Sequence, residues 1–284
     1  MGWAQQHGYA FRMRTTVVRL VHAARAAYVT LGLTVSGVVA LTVALVGLAG
    51  AMIAFGGATE DVTQHNGVVR SDPAHLRFFI DHRSHALDQV ARVVTNSGMI
   101  AVLVVVAVVA AALFWYRGLR LGLAMAPVVS LAAAAIAAAA TKSLVGRTRP
   151  PVSLHLVTEN DASFPSGHAT NSAAVFLTIG FVAAMYALRG PIVRTATVLA
   201  AALLSGMVGI SRLVLGVHWP SDVLAGWALG LSAALTVTIT LSLLARLRRT
   251  RPRDADPLLV RTARRAVDVL TIQRQARQST LEAA

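Results

Sequence analysis

Long apolar runs alternate along this chain with short polar breaks marked by glycine and proline. A helix needs roughly 20 apolar residues to cross a bilayer, and six stretches read as spans: 28–55, 99–116, 121–140, 169–188, 196–215 and 223–245. Backbone polar groups in hydrocarbon must be satisfied inside the segment, which selects helices. The pattern predicts an all-α fold, a polytopic membrane protein built as a six-transmembrane-helix bundle. The long connection is 57–97. Within it Leu76, Phe79, Ile80, Leu87, Val90 and Val93 recur at helical spacing, predicting one interfacial helix over 74–94. Gly226 and Gly230 form a GxxxG pattern in the last span. It serves packing within one bundle as well as packing between copies, so the oligomeric state stays open.

Composition sharpens this picture. Only 13% of residues are charged, against about 25% in a soluble domain. Cysteine is absent, which removes disulfide and thiolate chemistry. The first run is too long and starts too late for a typical cleaved signal peptide, and is read as a retained span. A net charge of +14 raises nucleic acid as a partner, but its distribution points elsewhere. Arg12, Arg14, Arg19 and Arg25 precede the first run, Arg117, Arg120, Arg189 and Arg194 lie in short loops, and ten arginines lie between Arg246 and Arg277. In a six-span arrangement all four segments share a side, which the positive-inside rule makes cytoplasmic. The expected organisation is a cytoplasmic N-terminal segment 1–27, a six-span core 28–245 and an arginine-rich cytoplasmic tail 246–284. Residues 258–272 of the tail are expected to form a surface helix, with anionic lipid headgroups as a secondary partner.

Three features on the opposite, outer side carry chemistry. Lys142 is the single lysine among 26 basic residues, and a compact ammonium differs from the planar fork of arginine. A snorkelling residue is the plain alternative. Arg149 follows seven residues on, two turns away if the helix persists, before Pro150 and Pro151 end it. Arg147 reads as a surface or headgroup contact. Next comes Pro165-Ser166-Gly167-His168 at the start of the fourth span. Pro165 and Ser166 suit helix capping. The helix N-terminus with Gly167 also offers N–H groups to an anion, and His168 in the first turn is a candidate general acid. The third feature has Arg212 in an apolar span, then Gly216, His218 and Asp222. A carboxylate one turn from an imidazole fixes its tautomer and frees the other nitrogen as nucleophile. Asp222 also suits capping of the sixth span.

His65, His75, His82 and His85 lie in the long connection, but no further ligand completes a metal set, and they read as a solvated polar face. The expectation is neither metal nor other cofactor. Three cations, two histidines, one carboxylate and one helix N-terminus on one membrane face form the inventory of phosphoryl transfer.

These residues resemble the type-2 phosphatidate phosphatase family, the lipid phosphate phosphatase and haloperoxidase superfamily. Its signature, Lys-x6-Arg-Pro, Pro-Ser-Gly-His and Ser-Arg-x5-His-x3-Asp, occurs here in order across 142–222 without a mismatch. The flanking text SFPSGHA and LGVHWPSDVLAGWALG is similar too. The resemblance implies that His218 forms a phosphohistidine, Asp222 orients it and His168 protonates the leaving group. It implies phosphate binding by Lys142, Arg149 and Arg212, with donors from Ser166 and Gly167, and no metal. The expected function is hydrolysis of a lipid phosphate or polyprenyl (di)phosphate at the outer leaflet of the cell membrane. Bacterial relatives act on undecaprenyl diphosphate, phosphatidylglycerol phosphate or phosphatidate, and a polyprenyl-phosphate sugar is a further substrate type. The competing readings are a lipid phosphotransferase using the same site and a non-enzymatic anion transporter. The transporter needs polar residues deep in the spans, and the spans offer few.

Overall fold

A computed structural model of the chain describes residues 34–250, with side chains through Arg248. Helix α1 is Val35–Gln64, α2 is Asp72–Asp81, α3 is His85–Asn96 and α4 is Ile100–Tyr116. A short turn at Leu121–Ala124 leads into α5, Ala126–Val145. Then come α6, Gly167–Val182, extended by a π turn Ala183–Ala187, α7, Pro191–Val214, and α8, Pro220–Thr250. The described residues contain no strand, as an all-α bundle requires.

Five helices, α1, α5, α6, α7 and α8, are long and apolar enough to span by themselves. The second expected span qualifies only as α3 and α4 together, bent by 54°. The expected segment 1–27, the residues 28–33 of the first run, and the tail beyond Thr250 with its 258–272 helix lie outside the described residues. Within them α1 begins where the Thr34 hydroxyl accepts the Gly37 N–H at 3.2 Å, and it continues past Phe55 to Gln64.

The single interfacial helix expected over 74–94 is instead two helices, α2 and α3. The amphipathic period runs on through the break, but Arg83 leaves it. Its guanidinium donates to the carbonyls of Val214 at 2.7 Å and Leu154 at 2.9 Å. The Val214 carbonyl closes α7 and has no helical partner of its own, so a charged donor is well placed there. Ser84 then restarts the chain as a helix, its hydroxyl accepting the Leu87 N–H at 3.2 Å. The four histidines of this region are all exposed.

Helix α6 is the centre of the bundle, buried from Ala169 through Val175 and packed against α4, α5 and α7. Its small residues let neighbours approach closely. A methyl group added to Gly226 would lie 2.8 Å from the Ser166 carbonyl, and one added to Gly230 would strike the Thr170 carbonyl. The GxxxG pattern of α8 is therefore used inside the bundle, against α6. Polar side chains tie the helices further: buried Ser130 donates to the Ala174 carbonyl at 3.2 Å, and Trp227 donates to that of Ser205 at 3.1 Å. This packing brings the starts of α6 and α8 together with the ends of α5 and α7.

Candidate active site

Helix α5 stops after Val145 because Gly146 takes up a left-handed conformation, φ 60°, and its N–H closes on the Lys142 carbonyl at 3.0 Å. Lys142 is thus in the last helical turn, and Arg149 lies beyond the helix. The two cations converge through the fold and not along one helical face. The turn between α7 and α8 is set by Gly216, at φ 72°, where any side chain would strike the Leu154 carbonyl. It delivers His218 into the interior.

His218 is 1% exposed. Its Nδ1 lies 3.3 Å from Asp222 Oδ2, and its Nε2 lies 3.0 Å from Arg149 Nη1. A guanidinium only donates, so Nε2 carries the lone pair and Nδ1 the proton. Burial pushes the imidazole down to about 4, with Asp222 opposing that shift without cancelling it. At neutral pH the ring is uncharged, with a bare nitrogen facing Arg149.

Asp222 sits in the first turn of α8 and is completely buried. It accepts the hydroxyl of Ser163, the N–H of Trp219 at 2.9 Å, and Arg147 at 2.5 Å. Reaching back to Trp219, just before the helix, it caps α8 while it holds His218. Ser166 joins the same end, its N–H donating to the Asp222 carbonyl at 3.0 Å.

Arg147 corrects the sequence reading. It is not a surface or headgroup contact: its Nη1 also donates to Ser221 Oγ at 2.7 Å, its Nη2 pairs with Asp72 at 2.6 Å, and its guanidinium lies 5.7 Å from the centre of the Trp219 ring. The cause is the early stop at Gly146, which turns the next residue inward.

The remaining cations are held by one loop. Lys142 pairs with Asp161 at 2.9 Å and donates to the Ala162 carbonyl. Arg149 meets Asp161 at 2.5 Å and Glu159 at 3.6 Å. Arg212 pairs with Glu159 and donates to Thr95 Oγ1 at 2.7 Å. For Asp161, burial raises the carboxyl, but hydrogen bonds from Lys142 and Arg149 outweigh it and bring it to about 2. For Glu159, burial likewise raises, and the Arg212 charge and hydrogen bond prevail with help from Arg149 and His168, so it is lowered. Among the residues of this site, two buried side-chain atoms, Ser166 Oγ and Arg212 Nε, have no hydrogen-bond partner among the described residues. His168 stands in the first turn of α6, and Gly98 at the α3–α4 bend packs on it, since a methyl there would lie 3.0 Å from its Cδ2. A methyl on Gly167 would lie 3.9 Å from Lys142 Cε, which puts the α6 N-terminus beside that cation.

The residues singled out from the sequence therefore gather at one end of the bundle. Those that the sequence did not single out are Asp72, Thr95, Glu159, Asp161 and Ser163. Ser163 could have been found from its place two residues before Pro165. Asp72 and Thr95 carry no local signal. Among the described residues no cluster of three or more His, Asp or Glu side chains is arranged to hold a metal ion.

An apolar helical bundle with a buried neutral imidazole beside clustered cations defines a membrane protein equipped for phosphoryl chemistry. Residues 123–246 match the model of the PAP2 superfamily. The chain is 31% identical over 167 residues to phosphatidylglycerophosphatase B of Bacillus subtilis (strain 168), covering 58% of this chain and 81% of that protein. It is 37% identical over 93 residues to decaprenylphosphoryl-5-phosphoribose phosphatase of Mycolicibacterium smegmatis, covering 32% of this chain and 44% of that one. A crystal structure of a transmembrane PAP2-type phosphatidylglycerolphosphate phosphatase from Bacillus subtilis aligns with a TM-score of 0.61 and 26% identity, over 68% of this chain and 94% of that one. The chain belongs to the PAP2 superfamily, and it is a multi-pass membrane hydrolase of phosphoric esters. The segments from Lys142 to Asp222 lie inside the matched region, whereas Asp72 and Thr95 lie outside it.

Proposed function

We propose that this protein hydrolyses a lipid phosphate or polyprenyl (di)phosphate at the outer leaflet, without a metal ion, through a phosphohistidine on His218. The observation that carries this reading is the His218 ring itself: Nδ1–H is committed to Asp222 at 3.3 Å, and the Nε2 lone pair opens toward the cation cluster. Nε2 forms a bond to phosphorus as the bond from phosphorus to the leaving oxygen breaks. The departing electron pair stays on that oxygen, which takes a proton from His168. Lys142, Arg149 and Arg212 hold the phosphoryl oxygens once Glu159 and Asp161 withdraw, and Ser166 Oγ and the N–H groups at the start of α6 supply further donors. Water then attacks phosphorus, His168 takes the water proton, and the N–P bond breaks to release phosphate and restore neutral His218. The arginine distribution supports cytoplasmic termini and an outward-facing site.

The test is phosphate release by purified protein from a panel of lipid phosphates in the presence of EDTA, with quenched trapping of acid-labile phosphate on the protein. His218→Ala should lose both signals. Retained turnover above about a hundredth of wild type would remove the nucleophile role, because loss of covalent catalysis costs more. Restoration of an EDTA-silenced enzyme by a divalent metal would overturn the metal-free step. Single cysteines introduced near His155 and Trp219 should react with impermeant reagent in intact cells, and one near Gln273 should not. The reverse pattern would invert the leaflet.

A further inference from the structure

Asp72 lies outside all three motif segments, yet it is buried and contacts the group that contacts Asp222. It is 2% exposed, Ser221 1% and Asp222 0%. Arg147 forks between the two carboxylates, with Nη2 at 2.6 Å from Asp72 Oδ2 and Nη1 at 2.5 Å from Asp222 Oδ1. Asp72 also accepts the N–H of Ser221 at 2.9 Å and its hydroxyl at 2.5 Å. One side chain from the start of α2 thereby grips both the guanidinium that touches Asp222 and the residue that precedes it.

We propose that Asp72 is a positioning residue for the His218–Asp222 pair, acting through Arg147 to keep Asp222 available to the imidazole as it becomes cationic. This rests on His218 being the nucleophile. Charge accounting gives the reason. With neutral His218, the set of the buried Asp72, Asp222 and His218 together with the half-buried Arg147 sums to −1. When Nε2 bonds to phosphorus, the ring gains a positive charge and the set becomes neutral. Without Asp72 the resting set is already neutral, with Asp222 fully matched by Arg147, and attack leaves an uncompensated buried positive charge. Such a charge is costly where water cannot reach it. Arg147 without Asp72 is an over-tight partner. Asp72 without Arg147 is a second carboxylate facing Asp222. The pair works as a unit, and neither member touches the reacting phosphorus. Helix capping by Asp72 alone would explain its contacts with Ser221, but not why a charged fork links it to Asp222.

The test compares full-length wild type, Asp72→Asn, Arg147→Met, the double variant and His218→Ala in the same detergent. Asp72→Asn should lower kcat roughly tenfold to a hundredfold with KM within about twofold, and should slow phosphohistidine formation. Arg147→Met should be worse, and adding Asp72→Asn to it should recover activity, because the double variant removes both charges. Wild-type kcat in Asp72→Asn, or a fall in Tm with unchanged kcat, would reduce Asp72 to a cap and overturn the proposal. If Asp72→Asn does not accumulate, the double variant decides: more active than Arg147→Met supports the proposal, equal or less active sinks it. Turnover by His218→Ala would instead defeat the underlying reading, while an inert His218→Ala beside an unaffected Asp72→Asn would defeat this proposal alone.

Discussion

The two nitrogens of His218 face environments built on opposite plans. On the Nδ1 side both carboxylates are buried and every charged group is partnered within the fold: Asp222 with Ser163, Trp219 and the half-buried Arg147, and Arg147 in turn with Asp72. On the Nε2 side, Lys142, Arg149 and Arg212 are paired with carboxylates of one loop, and Asp161 there is 57% exposed. Beside them the Ser166 hydroxyl and Arg212 Nε lack partners among the described residues. A buried, fully partnered network is expensive to break and fixes one geometry. Ion pairs with a carboxylate as exposed as Asp161 are worth little and exchange readily, while the pair of Glu159 with the buried Arg212 is held more firmly. In the proposed mechanism the closed side orients the ring, and the open side trades its carboxylates for the oxygens of a phosphate.

The largest break in this contrast is a tautomer change. Asp222→Asn removes the carboxylate that holds the proton at Nδ1, so the bare nitrogen turns away from substrate. A loss of about 10³–10⁴-fold in kcat/KM is expected, by the same logic as in hydrolase triads. A loss under tenfold in a protein of unchanged Tm would mean that the closed side does not orient the ring.

His168 lies on the open side, and its loss should depend on the substrate. His168→Ala should cost roughly 10²-fold or more on lipid substrates whose leaving oxygen needs a proton. Activated aryl phosphates should be nearly spared. Parallel losses on both substrate types would remove the general-acid assignment.

The same division governs what was legible in the sequence. The motif residues were readable because the chemistry demands those residue types at fixed spacing. The spans were readable because a bilayer demands apolar length. Arg147 was misread because its direction depends on where α5 stops, and Gly146 stops it short of the continuation to Arg149 that the seven-residue spacing from Lys142 invites. Asp72 is 75 residues from its partner Arg147 in the chain, and no local pattern announces such a contact. Glu159 and Asp161 look like ordinary loop acids until the fold sets them against the cations. The break between α2 and α3 was hidden because apolar periodicity continues through it, and the bonds of Arg83 to distant carbonyls overrule that periodicity.

Lys142→Arg sharpens the contrast at constant charge. The Lys142 ammonium reaches Asp161 and the Ala162 carbonyl beside the start of α6. A planar, bulkier guanidinium cannot present the same compact donor there. A fall of about tenfold in kcat/KM is expected, and full activity would show that the position needs only a positive charge.

The pH profile probes the closed side without mutation. As the proposed nucleophile, His218 must be unprotonated at Nε2. Burial brings it down to about 4 against the opposing Asp222, so protonation removes activity only as pH falls through that value. At pH 5.5, kcat/KM corrected for substrate ionisation should exceed by about tenfold what an imidazole titrating near 6.5 would allow. An acid limb centred near 6.5 would show that His218 is not held in the buried, neutral form.

The smallest effect expected is a gain, and it comes from the open side. Glu159 and Asp161 are both held below the ordinary carboxylate range by the cations, so both are ionised at working pH. An oxyanion entering the cluster must displace them from Lys142, Arg149 and Arg212. Vanadate, which mimics the five-coordinate phosphoryl group, pays that displacement without any bond to a leaving group. Neutralising the loop with Glu159→Gln and Asp161→Asn should therefore tighten vanadate inhibition. Asp161 is 57% exposed and pairs of that kind are worth about 0.2–1 kcal/mol, so Asp161→Asn alone should lower the inhibition constant by no more than about fivefold, and Glu159→Gln, whose partner Arg212 is buried, should add to it. Added salt should shrink the difference, since it weakens the wild-type pairs first. Weaker inhibition in the double variant would break the comparison: the two carboxylates would then be fixed parts of the site, arranging the cations as firmly as Asp72 and Arg147 arrange the other face of the ring.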